Sequence, residues 1–351
     1  MTLKCVTLTD IIGGTVSIRK TGKTEWTVIQ RSYGPEHDNN HNPTWLHVEN
    51  TGATAQICLH IKWAQFQWMG FRKFAYLKRG EKWEVITGQI GTTTTTYNFT
   101  APRGALIFGV TPWYSNEDAE QFVQGMLKKS DMCRGDSIGK SGEGRDILRL
   151  TIGKEGRPNV VVLGREHANE TSGSFAVEST ANYLLSPASP KAWLKRYQFH
   201  FIPIVNPDGV AHGTKLTQPG PASEFDMVQG GMTSRDPTMV ALRKEMIRLK
   251  PAALLMHHAY LFSSPFVGCF DKKIMMVALN VLLERNKRDT LAWLVRITGP
   301  EKKTLRSYCH TKFGTVSFIT ELPWYGRTPD EIRCMGVETF EAMMQAMART
   351  S

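Results

Sequence analysis

Gly164-Arg165-Glu166-His167-Ala168-Asn169-Glu170-Thr171 decides the reading of this chain. An apolar run, Val160 to Leu163, precedes it and reads as a buried β-strand. Ser172 to Leu185 follows, with Phe175, Val177, Tyr183 and Leu184 at the spacing of an amphipathic helix. His167 and Glu170 stand three apart at a strand-to-helix junction, so both side chains can face one centre. Neutral imidazole with carboxylate is the ligand mix of a catalytic zinc that keeps one position open. Taken alone, an H-x-x-E in a chain with ten His is a weak signal, and its weight comes from the segments around it.

Upstream lies Ile138-Gly139-Lys140-Ser141-Gly142-Glu143-Gly144-Arg145-Asp146-Ile147, then a strand-like Leu148 to Ile152. Downstream lie Phe201-Ile202-Pro203-Ile204-Val205-Asn206-Pro207-Asp208-Gly209-Val210, Leu254-Leu255-Met256-His257-His258 and Ser317-Phe318-Ile319-Thr320-Glu321. Apolar strand-like runs alternate with helical stretches from about residue 130 onward, at 159–163, 172–185, 198–205, 239–249, 252–256, 274–284, 316–320 and 331–347. That alternation predicts a mixed, mostly parallel sheet covered by helices. His167, Asn206, His257 and Glu321 each follow such a strand, where open α/β sheets place their ligands.

In that order the segments resemble the M14 family of zinc carboxypeptidases. The family runs a G-x-S-x-x-G-R strand, H-x-x-E, a strand ending in N-P-D-G, a strand ending in the third ligand His, and a strand ending in a catalytic Glu. The resemblance implies one Zn2+ held by His167, Glu170 and His257. Strand alternation sends His257 and His258 to opposite faces, so only one of the two can bind; His257 is the one aligned with the family ligand. The Asp that the family usually has two residues earlier is Leu255 here. Glu321 is implied as general base and acid, taking a proton from the attacking water and giving it to the leaving amine. Arg306 lies in a Thr-x-Arg pattern that precedes the Glu strand in cytosolic relatives, so it joins Glu321 as a candidate catalytic residue. Contact with an anionic substrate and a structural salt bridge both remain open for it.

Other positions depart from the pattern. After N-P-D-G the family places an Arg that polarises the scissile carbonyl; here that position reads Lys215 or Leu216. The family's Asp-x-Asn-Arg segment, whose Asn-Arg pair clamps a terminal carboxylate, reads Glu224-Phe225-Asp226-Met227. Glu224 could orient His167. Asp226 and Met227 cannot replace bidentate Arg recognition. Lys215 and Arg235 are the candidate substitutes, and Asn206, Tyr325 and Tyr308 are further candidates on the substrate side. Either the clamp has moved, or the enzyme is an amidase or deacylase that needs no free C-terminus. A non-catalytic binding protein on the same scaffold is the alternative of another class.

Residues 1–115 read as a separate all-β sandwich ahead of a catalytic domain over 116–351. Short β-rich runs at Val16–Ile18, Trp26–Ile29, Trp45–Val48 and Ile57–Ile61 are punctuated by Gly, Asn, Pro and Asp. Thr92 to Thr96 reads as an exposed strand or hairpin arm. Cytosolic carboxypeptidases carry a small β-sandwich in this place, ending in a strand, an aromatic-Pro-aromatic turn and a helix. The stretch Leu106 to Asp118, with Thr111-Pro112-Trp113-Tyr114, resembles that junction, and Ser115 with Asp118 predicts an N-cap followed by a helix through Ala119 to Leu127.

The 351 residues suffice for a sizeable core, and 41% hydrophobic with 21% charged residues is ordinary for a globular protein. No basic leader followed by an apolar stretch stands at the start, and no run approaches a membrane span. Six scattered Cys without C-x-x-C fit a reducing, cytoplasmic compartment. The net charge of +11 reads first as a solvated basic surface, and as an attraction for anions it allows the expected peptide or amide substrate to be acidic. The basic and aromatic stretch Phe71 to Arg79 reads as a half-buried strand rather than a nucleic-acid platform.

Overall fold

The structure is a computed structural model that describes residues 6–12, 16–30, 44–64, 72–214, 233–259, 264–286, 293–297 and 304–350. Its first part holds β1 (Val6–Asp10), β2 (Val16–Lys20), β3 (Glu25–Gln30), β4 (Trp45–Asn50), β5 (Ala55–Lys62), β6 (Phe74–Arg79), β7 (Lys82–Thr87), β8 (Gln89–Ile90), β9 (Thr94–Ala101) and β10 (Gly104–Gly109). They form two five-stranded sheets, ordered β1-β4-β10-β6-β7 and β2-β3-β5-β9-β8. Alternation drives their packing. Ile57, Leu59 and Ile61 of β5 turn inward, and share a core with Val28, Tyr97 and Phe99 of their own sheet and Leu46, Val48, Leu77 and Phe108 of the other. The threonine run enters the β8–β9 hairpin, as the sequence predicts, with Thr92 exposed and Thr95 buried. β9 lies between β5 and β8, and buried Thr95 accepts a hydrogen bond from Trp63 Nε1 at 2.9 Å.

Helix α1 (Asn116–Lys129) follows the last sandwich strand and starts on a capping box. Ser115 Oγ accepts from Asp118 N at 3.1 Å, and Asp118 accepts from Ser115 N at 2.7 Å. The second part then runs through β11 (Cys133–Lys140), β12 (Asp146–Ile152), β13 (Asn159–Gly164), α2 (Ser172–Leu184), α3 (Lys191–Arg196), β14 (Gln198–Ile202), α4 (Pro207–His212), α5 (Pro237–Leu249), β15 (Ala253–His258), β16 (Phe266–Cys269), α6 (Lys272–Asn286), β17 (Leu294–Ile297), α7 (Leu305–Phe313), β18 (Val316–Glu321) and α8 (Pro329–Thr350). Its eight strands are ordered β11-β12-β14-β13-β15-β18-β16-β17. The central pairs β14–β13, β13–β15 and β15–β18 are parallel, while β12–β14 and β16–β18 are antiparallel.

Each central strand is apolar on both faces, because helices cover both. Val160 and Val162 of β13, Ala253 and Leu255 of β15 and Phe318 of β18 pack with α1, α2, α6 and α8. Val161 and Leu163, with Leu254 and Met256, pack with Met239, Leu242 and Met246 of α5 and Leu305 and Cys309 of α7. Residue parity along each strand therefore assigns every later side chain to one helical layer or the other. Tyr76 of β6 belongs to the core beneath α1, α2 and α8, so the sandwich contributes directly to the packing of the second part. Among the described residues no helix is long and apolar enough to cross a membrane.

Candidate metal centre

The quoted stretch makes one tight turn off the end of β13. Arg165 adopts a left-handed backbone conformation, φ 61°, uncommon for a side-chain-bearing residue. The turn is held from inside. Arg165 is fully buried; its Nε donates to Ala168 O at 2.6 Å, and its Nη1 donates to Tyr114 O at 3.2 Å and Ser174 Oγ at 3.3 Å. Burial lowers its pKa to about 9, which leaves the guanidinium charged at neutral pH. From the far side, Val205 N and Asn206 N donate to Gly164 O and Arg165 O. Glu170 N donates to His167 O at 3.1 Å, closing the turn that sets both side chains on one side.

His167, Glu170 and His258 then converge, each offering a ligand atom within 4.8 Å of the others. Glu170 lies between the two rings: its Oε1 is 2.6 Å from His167 Nδ1 and its Oε2 is 3.1 Å from His258 Nδ1. Ala259 N also donates to Oε2 at 3.1 Å. Burial alone would raise the Glu170 pKa, but the adjacent imidazoles pull it well below the carboxylate range. Burial opposes the charged form of His258 in turn, and Glu170 and Glu166 hold its pKa up. Two imidazole nitrogens on the two oxygens of one buried carboxylate suit a divalent ion of zinc type, with neither thiolate nor a large oxygen cage to favour another.

The third imidazole corrects the sequence expectation. His257 pairs in register with Thr320 and His258 with Glu321 across β15 and β18. Directly paired residues of a parallel ladder point to the same face. His257 Nδ1 accordingly lies 2.8 Å from Thr320 Oγ1, on the layer of α2 and α8, and away from Glu170. His258 and Glu321 share the opposite face. Burial, then the charge of His258, lowers the His257 pKa to about 3, so this ring is a neutral core histidine.

Other expected residues fall in several places. Asn206 is fully buried and caps α4: its side-chain oxygen accepts from Gly209 N at 2.8 Å and its Nδ2 reaches Glu166 O at 3.5 Å. It shapes the loop rather than lining an open pocket. Arg306 is buried with its guanidinium 3.9 Å from the Phe270 ring centroid. Phe270 follows Cys269, which pairs with Phe318, whereas Glu321 pairs with Phe266. The Phe270 contact thus gives Arg306 a packing role on the sheet edge. Tyr325 is half-buried and edge-on to Phe74 of the sandwich at 4.7 Å. Arg235 is exposed in the turn before α5. Lys215, Glu224, Asp226 and Met227 lie outside the described residues.

Two further residues shape the centre. Asp208 of N-P-D-G is buried and accepts from Ser141 Oγ at 2.6 Å, Glu143 N at 3.0 Å and Arg145 Nη1 at 2.7 Å. The G-x-S-x-x-G-R segment therefore docks onto the start of α4 beside the metal turn. The other is Glu166, buried within the quoted stretch itself.

Comparison with known proteins agrees with this fold. Residues 119–235 match the family model described as zinc carboxypeptidase, Peptidase_M14. The crystal structure of a metallo-carboxypeptidase from Burkholderia cenocepacia superposes with a TM-score of 0.81 at 16% identity, covering 99% of this chain and 100% of that one. At that identity the likeness is one of fold. An inactive metallocarboxypeptidase, ECM14, of Ajellomyces dermatitidis is 37% identical over 86 residues, 22% of this chain and 14% of that protein. Cytosolic carboxypeptidase 1 of Gallus gallus is 41% identical over 59 residues, 16% of this chain and 5% of that protein. The curated relatives are thus matched over 35% of their own length or less. Over residues 119–235 this chain is thus similar to the zinc carboxypeptidase family, and its fold is that of a metallo-carboxypeptidase.

Proposed function

We propose that the chain is a zinc-dependent hydrolase of amide or peptide bonds, acting as a carboxypeptidase of the cytosolic type. The observation that carries the proposal is the convergence of His167, Glu170 and His258, with Glu321 in register beside His258 on the same face of the sheet. Those three residues would hold the ion, which when bound supplies Lewis acidity toward a carbonyl and lowers the pKa of water. Glu321 takes the proton of the attacking water and returns it to the leaving amine. Arg165 and Asn206 keep the ligand turn in place. Cytoplasmic residence is supported by the partial likeness to cytosolic carboxypeptidase 1 and by Cys58, Cys133, Cys269, Cys309 and Cys334, all free thiols.

Asp226-Met227 in the place of the Asn-Arg clamp favours a second reading, an amidase or deacylase that needs no free C-terminal carboxylate. The ECM14 likeness supports a third, a binding protein without turnover. An acidic substrate is proposed on the net charge of +11. The experiment is a zinc-loaded screen of matched acidic, neutral and basic peptides with free and amidated C-termini. Release of C-terminal residues only from free termini supports the carboxypeptidase; equal cleavage of amidated peptides replaces it with the amidase. Binding without cleavage of any member would establish the third reading.

A further inference from the structure

We propose that Glu166 is the positioning residue for the third metal ligand, His258, and thereby sets how tightly the centre holds its ion. The inference rests on the metal-centre reading above. Glu166 is 5% exposed, and its Oε2 lies 3.4 Å from His258 Nε2. On the other edge of the ring, His258 Nδ1 lies 3.1 Å from Glu170 Oε2. Each nitrogen of this imidazole therefore faces its own carboxylate.

The chemistry follows from a division of labour between the nitrogens. A histidine ligates as the neutral imidazole, with a lone pair on one nitrogen and a proton on the other. Nδ1 is the nitrogen that faces Glu170, as His167 Nδ1 does, so Nδ1 is the atom able to join them around an ion. Nε2 then keeps the proton and needs an acceptor in a buried setting. Among the described residues, Glu166 is the carboxylate placed to take it. Such a partner fixes the tautomer and ring orientation and raises the basicity of the ligating nitrogen. Charge points the same way, since two carboxylates with two neutral imidazoles balance a buried divalent cation.

The backbone keeps Glu166 in place. The residue before it is pinned by the Arg165 guanidinium to Ala168 O and Tyr114 O, and its own carbonyl is reached by Asn206 Nδ2 at 3.5 Å. Glu166 is also set apart from direct ligation, because its oxygen faces Nε2, across the ring from Nδ1.

The test is a zinc competition titration against a chromophoric chelator for the full chain, Glu166→Gln and Glu166→Ala, with thermal unfolding of the metal-free forms measured alongside. Glu166→Ala is expected to weaken zinc affinity about 10- to 100-fold. Glu166→Gln, whose amide oxygen still accepts from Nε2–H, should fall between it and the unaltered chain, and it carries the test if the alanine variant fails to fold. The Co2+-substituted protein should keep its coordination number in Glu166→Gln while its absorption bands shift. Zinc affinity within twofold of the unaltered chain in both variants would overturn the inference and leave the metal centre standing. Loss of a coordinating oxygen in the cobalt spectrum would also overturn it, by making Glu166 a ligand. An unaltered chain that binds no zinc would remove the metal-centre reading itself, and this inference with it.

Discussion

The Tyr76 hydroxyl donates a hydrogen bond to the carbonyl oxygen of Trp324. It joins β6 of the sandwich to the loop that leaves β18 three residues after Glu321, and both partners are buried. Phe74, two residues earlier on β6, packs edge-on against Tyr325. The sandwich thus braces the loop that follows Glu321, the proposed general base. Burial pushes the Tyr76 pKa far above its usual value, which keeps the phenol protonated as donor.

Tyr76→Phe removes that donor and leaves a buried carbonyl without it. The expected loss is about 1–3 kcal/mol of stability, read by urea unfolding. Hydrogen exchange should rise first in residues 322–328. An unchanged exchange pattern there would show that the loop is held by its own packing.

The parity of His257 and His258 gives an opposed pair of expectations. His258→Ala should abolish tight zinc binding, because it deletes a ligand from a three-ligand set. His257→Ala should retain zinc but lose about 1–3 kcal/mol of stability, since it strands Thr320 Oγ1 and opens a cavity in the α2 layer. Zinc titration and chemical unfolding of both variants decide it. The reverse pattern would return the ligand role to His257.

Glu321→Gln keeps shape but cannot accept the proton. Turnover on the identified substrate should fall by about 10² to 10⁴ while zinc affinity holds. A variant that hydrolyses at the unaltered rate would require another base.

The sequence made much of this legible, for identifiable reasons. His167 and Glu170 stood out because a polar H-x-x-E interrupts an apolar strand and an amphipathic helix. Ser115 and Asp118 announced their helix because a capping box is local. His257 and His258 were not separable in the same way. Their strand is apolar on both faces, so hydrophobic alternation carries no parity, and the face of each ring is set by the register of β15 against β18. The Arg306 contact was hidden for a related reason: a three-residue motif fixes a helix start but not a side chain's neighbours, among them Phe270. Asp208 reads locally as part of a strand-end motif, while its partners Ser141 and Arg145 come from more than sixty residues earlier.

His200 predicts acid sensitivity. It is buried in β14, with Nε2 2.9 Å from Asn159 Oδ1 and Nδ1 3.2 Å from Thr151 Oγ1. Burial, then the charges of Arg149, Arg248 and Arg134, lowers its pKa from 6.5 to about 3. Between those values the unfolded chain binds a proton that the folded chain refuses. Its contribution is therefore complete above pH 6.5 and is lost as pH falls, by about 1.4 kcal/mol per unit, levelling near pH 3. His200→Gln should flatten the stability profile between pH 6 and 4 by about that slope. Parallel profiles for the two proteins would assign the acid sensitivity elsewhere.

Gly164 and Gly173 let β13 and α2 meet backbone to backbone beneath the metal turn. A Cβ on Gly164 would lie 2.7 Å from Gly173 C, and one on Gly173 would lie 2.8 Å from His257 O. Both obstacles are main-chain atoms, so no side chain can swing aside. Gly164→Ala must push the helix off the strand, which displaces His167 and Glu170 relative to His258. The expected cost is about 1–3 kcal/mol, with weaker zinc binding in the same variant. Gly125→Ala serves as the control: Gly125 is exposed on α1, nothing lies within 4 Å of its added Cβ, and the exchange should stabilise by about 0.4–1 kcal/mol with zinc affinity unchanged. Paired urea unfolding and zinc titration read both effects. Gly164→Ala with unaltered zinc affinity would show that the ligand turn is held by Arg165 and Asn206 independently of the strand–helix contact.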